Sequence, residues 1–183
     1  MSAPLAPSQR EALLRVARQA LEQAVGGASV PPDLPGDPLL HQPGAAFVTL
    51  THGGELRGCI GSLERDLPLA DVVARCAISS ATGDPRFYPV TASELPALRI
   101  EISVLTPLRR VDNPEEVEVG QHGLLIRRGL RRGLLLPQVA IEHGWTRETF
   151  LAQTCLKAGL PLDAWRTDAE IWVFEAEVFG ESS

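Results

Sequence analysis

The stretch FVTLTHGGELRGCIGSL, residues 47–63, constrains the fold of this chain more than any other segment. Two glycines, Gly53 and Gly54, separate two runs of residues that favour β-strands. Glycine adopts the positive φ that tight two-residue turns require, so a glycine pair between such runs is a strong signal for a β-hairpin. The sequence therefore predicts two antiparallel strands joined at these glycines, with the run LRGCIG in the second strand.

A two-residue turn fixes which residues face each other across the hairpin. The predicted pairs are His52 with Glu55, Leu50 with Arg57 and Val48 with Cys59. Side chains alternate along a strand, so Arg57 and Cys59 are predicted to point to the same side. A guanidinium near a thiol favours the thiolate, which predicts a reactive cysteine. The alternative is a small buried cysteine in a packed sheet, with Arg57 in an ordinary ion pair.

Two glycines flank this cysteine: Gly58 precedes it and Gly61 follows two residues later. A glycine inside a strand removes a side chain, so it often marks a place where another backbone or a ligand approaches closely. We therefore interpret Arg57, Gly58 and Gly61 as candidate ligand-binding positions around a candidate nucleophile, Cys59.

Five further motifs follow LRGCIG in the order DPRF, LRIEISVLTP, GQHGLLI, GLLLPQVA and KAGLP. On these motifs the chain resembles the AMMECR-type domain, whose bacterial and archaeal members are named after the AmmeMemoRadiSam system. The resemblance covers residues 47–179 and, more weakly, the first helix. It implies an α+β fold with two unequal lobes and a cleft that LRGCIG lines. It also implies association with a dioxygenase-like Memo protein and a radical-SAM protein, but no established reaction.

The length of 183 residues predicts a single domain. Its expected parts are an N-terminal helix over residues 1–27, a proline-rich connection over 28–46 and the family core over 47–179. No apolar run approaches the about 18 residues of a membrane span, and no signal peptide is visible. Three scattered cysteines suit reduced thiols. These features predict a cytoplasmic protein that does not bind membranes.

Helix and strand patterns alternate along the chain. A capping box at Ser8 opens the first predicted helix, Pro68 begins the second and Thr146 caps the third. Cys76 and Cys155 fall on the apolar stripes of the second and third helices, which predicts packing roles for both thiols. Beyond the hairpin, strands are predicted at residues 98–104, 117–120, 124–126, 134–136 and 171–179. Hairpin strands with a few helices between them indicate α+β with a largely antiparallel sheet.

Two acidic positions and one basic position are candidates for the site. Asp84 and Arg86 lie in the loop DPRFYP, where two prolines hold the path of the chain. We interpret both as ligand-binding side chains, with a local Asp84–Arg86 ion pair as the alternative. Glu101 lies on the polar face of a predicted strand; it is a candidate general base, an arginine partner or a solvated carboxylate.

His122 and Gln138 are the remaining candidates. Glycines flank His122 at the start of an apolar strand, and a histidine distant in sequence often takes the proton from a nucleophilic cysteine. His122 is therefore predicted to assist Cys59. Gln138 follows Pro137 and is interpreted either as an amide donor to a ligand carbonyl or as an anchor of the turn.

Four arginines between Arg127 and Arg132 form the tip of a second predicted hairpin. A charged tip that keeps sheet edges apart is favoured over a site for phosphate or an acidic partner. The formal net charge of -6 argues against nucleic acid as a partner.

No P-loop, GxGxxG turn, HExxH, EF-hand or paired metal-ligand spacing occurs, so no cofactor or metal is predicted. Three functions stay open. The first is an enzyme in which Cys59 is the nucleophile, helped by Arg57, His122 and Glu101. The second is a non-catalytic partner or substrate-binding protein of the Memo-like and radical-SAM proteins. The third, least favoured, is a nucleic-acid-binding module.

Overall fold

The computed structural model describes residues 4–27 and 36–182. Its helices are α1 (Pro7–Gly26), α2 (Leu69–Thr82), α3 (Pro137–Glu142) and α4 (Arg147–Lys157). Its strands are β1 (Ala45–His52), β2 (Glu55–Ser62), β3 (Leu98–Leu105), β4 (Arg109–Val111), β5 (Gly123–Arg128), β6 (Arg131–Leu135), β7 (Glu170–Phe174) and β8 (Ala176–Gly180). The strand pairs β1–β2, β1–β3, β4–β7, β5–β6 and β5–β7 are antiparallel. The predicted α+β class is confirmed.

The chain divides into two compact units, of which the second spans Thr106–Ala176. The first comprises the described residues up to Leu105 and those from Glu177 onward. Part of the predicted proline-rich connection, residues 28–35, lies outside the described residues. The rest of that connection contains a short 3-10 helix, Pro38–His41, and runs into β1.

The first unit contains a four-stranded sheet in the order β2-β1-β3-β8. Helices α1 and α2 cover one face of this sheet. Alternate residues of β1 and β3, such as Val48, Leu50 and Ile102, are buried in a core shared with Leu13 of α1 and Val73 of α2. The opposite face carries the intervening side chains. This alternation is the pattern of a sheet that packs on one side.

Both helices of this unit have the apolar stripes that the sequence predicts. Helix α2 begins after Pro68 and buries Cys76 among its apolar residues, as expected. The predicted start of α1 is wrong by two residues, because its N-cap is Ala6 and not Ser8. The helix begins at Pro7, because proline suits the first helical position, and the backbone N–H of Ala6 donates to Oε1 of Gln9 at 2.8 Å.

The second unit contains a sheet in the order β4-β7-β5-β6, packed with α4 around Phe150, Leu151 and Cys155. Two elements here were not predicted, namely strand β4 and the short helix α3. The strand predicted over residues 117–120 is wrong, since these residues form a turn in which the N–H of His122 donates to the carbonyl of Glu118 at 2.9 Å.

The strand predicted over residues 171–179 is two strands in different sheets. Glu175 separates β7 from β8. Its N–H donates to Oγ1 of Thr106 at 2.8 Å, and its carbonyl accepts from the N–H of Thr106 at 2.9 Å. These bonds take the backbone of Glu175 out of either ladder, so the apolar run is interrupted although no glycine or proline marks the break. No helix in the described part of the chain is long and apolar enough to cross a membrane.

Candidate functional site

The glycine turn forms as predicted, but the register of the hairpin does not continue beyond it. Gly53 and Gly54 have φ of 60° and 85°, and His52 faces Glu55. A β-bulge follows, because Thr51 pairs with Leu56 whereas Leu50 pairs with Gly58. The predicted pairs of Leu50 with Arg57 and of Val48 with Cys59 are therefore wrong. One extra residue on the second strand moves every later side chain to the opposite face.

The bulge gives Cys59 new neighbours. Cys59 pairs with Thr49, whose Oγ1 donates to the Cys59 Sγ at 3.3 Å. Thr49 also pairs with Glu101 on the other side of β1. Cys59, Thr49 and Glu101 thus form one row across three strands, on the face opposite the helices. The structure brings Cys59 and Glu101 to the same face, but with Thr49 between them.

Arg57 lies at the bulge and its guanidinium binds another part of the unit. Its Nε donates to Oε1 of Glu94 at 2.8 Å, and its Nη1 donates to the carbonyl of Tyr88 at 2.9 Å. The hydrogen bond from Arg57 is the main reason that the pKa of Glu94 falls to about 2, and a backbone hydrogen bond from Thr91 adds to it. Arg57 therefore ties β2 to the segment after α2. The sequence offered an ordinary ion pair of Arg57 as an alternative, and the bond to Glu94 is such a pair.

Asp84 and Arg86 hold the backbone of Cys59 from the exposed edge of β2. Oδ2 of Asp84 accepts the N–H of Cys59 at 2.9 Å, and Nη2 of Arg86 donates to the Cys59 carbonyl at 3.4 Å. The two side chains also bind each other, with Arg86 Nη2 at 2.7 Å from Asp84 Oδ2. This pairing, more than any other contact, lowers the pKa of the buried Asp84 carboxyl well below its usual range. Asp84 is thus a charged acceptor for an otherwise unpaired strand N–H.

The pKa of Arg86 is also shifted by its contacts. The hydrogen bond to Asp84 is the largest cause that raises the pKa of Arg86. The bond from Arg86 to the Cys59 carbonyl places this guanidinium, like that of Arg57, beside the strand that carries Cys59. Sequence reasoning named Arg86 but assigned the role beside the thiol to Arg57.

The space beside the two glycines of LRGCIG is occupied by other parts of the protein. A Cβ at Gly58 would overlap the carbonyl oxygen of Ser80 in α2, and one at Gly61 would overlap the ring of Phe47. The buried hydroxyl of Ser80 accepts the N–H of Ile60 at 2.9 Å and donates to the carbonyl of Val48 at 2.7 Å. Gly58 is thus required for the close approach of the α2 backbone, one of the two roles expected for it.

Sequence reasoning missed Ser80 and Thr49 as parts of this arrangement. Ser80 lies four residues after Cys76 on the buried stripe of α2, and a serine on an apolar stripe was a signal of a buried partner. No comparable signal marked Thr49, because its contact with Cys59 depends on the bulge.

Exposure separates the three cysteines. Cys76 and Cys155 are buried, as predicted, whereas Cys59 is half-buried. Burial raises the pKa of the Cys76 thiol to about 11 and also raises that of Cys155. Both stay protonated at neutral pH, so they are poor nucleophiles. Cys59 is the least buried of the three cysteines.

His122 and Gln138 belong to the second unit. His122 is buried, and its Nδ1 accepts the N–H of Glu118 at 3.1 Å. Oε1 of Gln138 is buried without a hydrogen-bond partner among the described residues. The assistance of His122 to Cys59 stays a prediction.

The arginine tip forms as a hairpin with Gly129 and Leu130 at its turn. Arg127 pairs with Glu170 at 2.7 Å and Arg128 with Asp168 at 2.9 Å, both within the second unit. These contacts neutralise two of the four arginines, as in a structural tip. Whether the tip binds an anionic partner stays a prediction. In the described part of the chain, no three His, Cys, Asp or Glu side chains are placed to hold a metal ion.

Comparison with known proteins supports the resemblance seen in the motifs. The family model AMMECR1 matches residues 14–179. Protein MK0488 of Methanopyrus kandleri is 46% identical, over 99% of this chain and 92% of its own length. A protein of Methanothermobacter thermautotrophicus is 44% identical, over 98% of this chain and 97% of its own. The crystal structure of the uncharacterized protein PH0010 from Pyrococcus horikoshii superimposes with a TM-score of 0.86 at 41% identity, covering 93% of this chain and 90% of that one.

Proposed function

The chain belongs to the AMMECR1 family, and we propose that it acts on a small ligand through the thiol of Cys59. One observation carries the proposal: Cys59 is the half-buried cysteine, whereas Cys76 and Cys155 are enclosed in the two cores. In this proposal Cys59 is the nucleophile, and Glu101 and His122 are the candidates for proton transfer.

The setting of the thiol supports this role in two ways. Thr49 Oγ1 donates to Sγ at 3.3 Å, which holds the sulfur atom in one position. The backbone of Cys59 is held at its N–H by Asp84 and at its carbonyl by Arg86. A side chain on a fixed backbone presents its reactive atom in a defined position, as catalysis requires.

Alkylation with iodoacetamide, mapped to each cysteine by mass spectrometry, tests the proposal. We expect Cys59 to react about tenfold faster, or more, than Cys76 or Cys155. Exposure alone gives the same order, so the rate of Cys59 is also measured in urea-unfolded protein at the same pH. An activated thiol reacts faster in the folded protein than in the unfolded one. Equal or slower reaction in the folded protein contradicts a catalytic thiol.

A second function, that of a non-catalytic ligand-binding or partner protein, is favoured by Arg57. Its guanidinium is bound to Glu94 and to the carbonyl of Tyr88, so it does not serve Cys59 as the hairpin pattern predicted. In this alternative the protein supplies a ligand to the Memo-like and radical-SAM proteins. Co-purification with those proteins, together with a Cys59→Ser variant that still supports the pathway in cells, favours this function over catalysis.

We also propose that the protein works in the cytoplasm. All three cysteines are free thiols, and reducing compartments keep thiols in that form. Fractionation of cells followed by detection of the native chain tests this placement, and recovery from an oxidising compartment contradicts it.

A further inference from the structure

A surface groove of about 630 Å³ lies beside the LRGCIG strand in the first unit. Its lining consists of Arg57, Pro85, Arg86, Phe87 and Tyr88. This volume falls within the range of pockets that hold small molecules. The groove is distinct from the row that contains the Cys59 thiol, although Arg86 joins the two through its bond to the Cys59 carbonyl.

The negative charge of Asp84 is buried beneath the groove, and the positive charge of Arg86 lies at its surface. The Asp84 side chain is 2% exposed, whereas that of its partner Arg86 is 55% exposed. Arg86 donates Nε and Nη2 to Asp84, at 3.0 and 2.7 Å, and its Nη1 has no hydrogen-bond partner among the described residues. The carboxylate is thus buried below a guanidinium that keeps donors for a ligand. Such an edge suits a carboxylate or a phosphate group.

The aromatic residues of the groove have separate roles. The Phe87 ring centroid lies 5.5 Å from Cζ of Arg86 and 6.0 Å from Cζ of Arg57, so one ring packs beside both guanidinium groups. Tyr88 is 91% exposed, while its carbonyl is held by Arg57 at 2.9 Å. An exposed aromatic ring on a fixed backbone is a common feature of binding surfaces.

We infer that this groove binds a small molecule that carries a carboxylate or phosphate group next to a flat ring. Arg86 contacts the anionic group and Tyr88 packs on the ring. The inference deepens the proposed function, on which it rests, by giving the site beside Cys59 a class of ligand. Because Arg86 contacts the Cys59 carbonyl, an anion on Arg86 lies next to the strand that carries the thiol.

Calorimetric titration of the full chain with three probes tests the inference: benzoate, phenyl phosphate and inorganic phosphate, all at one ionic strength. We expect saturable binding of at least one ring-bearing probe, and the tighter of the two identifies the anionic group. Arg86→Gln weakens this binding about tenfold or more, since it removes a charge-assisted hydrogen bond. Tyr88→Ala weakens the ring-bearing probes about threefold and leaves inorganic phosphate unchanged.

Arg128→Gln is the matched control, because Arg128 also pairs with an aspartate, Asp168 at 2.9 Å, but lines no part of the groove. It should bind the probes as the wild type does. If Arg86→Gln does not fold, Asp84→Asn combined with Arg86→Gln removes both charges and keeps an acceptor for the Cys59 N–H. Failure of both ring-bearing probes to saturate the wild type overturns the inference. Equal affinity in the Arg86 and Arg128 variants overturns it as well.

Probe binding and the alkylation rate of Cys59, both measured on the wild-type protein, separate this inference from the proposed function. Probe binding together with an unreactive Cys59 contradicts the catalytic thiol and leaves the groove intact. A fast-reacting Cys59 in a protein that binds no probe contradicts the groove alone.

Discussion

The two units each contain a β-hairpin closed by a short glycine turn, and the two hairpins differ in register. In the second unit, β5 and β6 keep one register from Arg128–Arg131 at the turn to Leu124–Leu135 at the far end. In the first unit, the register of β1 and β2 shifts between Leu50 and Thr51. A turn therefore fixes cross-strand pairs only as far as the first bulge.

The contacts that hold the hairpins explain the difference. Side chains of Ser80 and Asp84 accept the N–H groups of Ile60 and Cys59 in β2. In the second hairpin, arginine side chains instead pair with exposed carboxylates, such as that of Asp168. Buried side chains that bind backbone can maintain an irregular strand, whereas exposed ion pairs add little to a regular one. The irregular hairpin is the one that carries the candidate site.

Replacing a glycine in each hairpin should give the largest difference between them. Gly58→Ala forces a Cβ against the Ser80 carbonyl, so we expect a loss of about 3 kcal/mol in the free energy of unfolding. Gly129→Ala has open space around it but a φ of 61°. It should cost about 1 kcal/mol, the usual penalty for a left-handed residue. Urea denaturation followed by circular dichroism measures both values.

Equal losses in the two variants would show that α2 does not restrain β2, which removes the physical reason for the bulge. Gly53→Ala, at the other turn and also in open space with φ of 60°, serves as a second reference. It should match Gly129→Ala, because the same backbone strain applies at both turns.

Much of the fold was predictable because it follows from local pattern. The glycine turn, the stripe of α2 and the alternation along β3 each depend on residues close in sequence. The bulge was not predictable, since β2 is held there by Ser80, 20 residues from Ile60, and by Asp84, 25 residues from Cys59. At the candidate site, the Asp84–Arg86 ion pair that the sequence offered as an alternative forms, whereas the predicted cross-strand partner of Cys59, Val48, is wrong because of the bulge.

The two Arg–Asp pairs give the next comparison. The side chain of Asp84 is 2% exposed and accepts a strand N–H, whereas that of Asp168 is 61% exposed. Asp84→Ala leaves the Cys59 N–H without a partner, so we expect a loss of about 2 kcal/mol in the free energy of unfolding. Asp168→Ala should leave it within experimental error. An equal loss of unfolding free energy in both variants would mean that the burial of Asp84 does not make its pair with arginine more stabilising than that of Asp168.

The smallest expected difference concerns how the free energy of unfolding changes as the pH falls. Pairing with Arg57 holds the folded-state pKa of Glu94 at about 2, against an ordinary value of 4.5. A carboxyl with a lowered folded pKa stabilises the protein above its unfolded pKa, and that contribution is lost as the pH falls from about 5 toward 2. Glu94→Gln should therefore be less stable at pH 7 and lose less stability on acidification than the wild type. Urea unfolding at pH 7, 5 and 3 measures the slope, with the exposed Glu142→Gln as control. Slopes of Glu94→Gln and wild type that coincide would mean that the Arg57 pair does not contribute to the stability of the bulged hairpin.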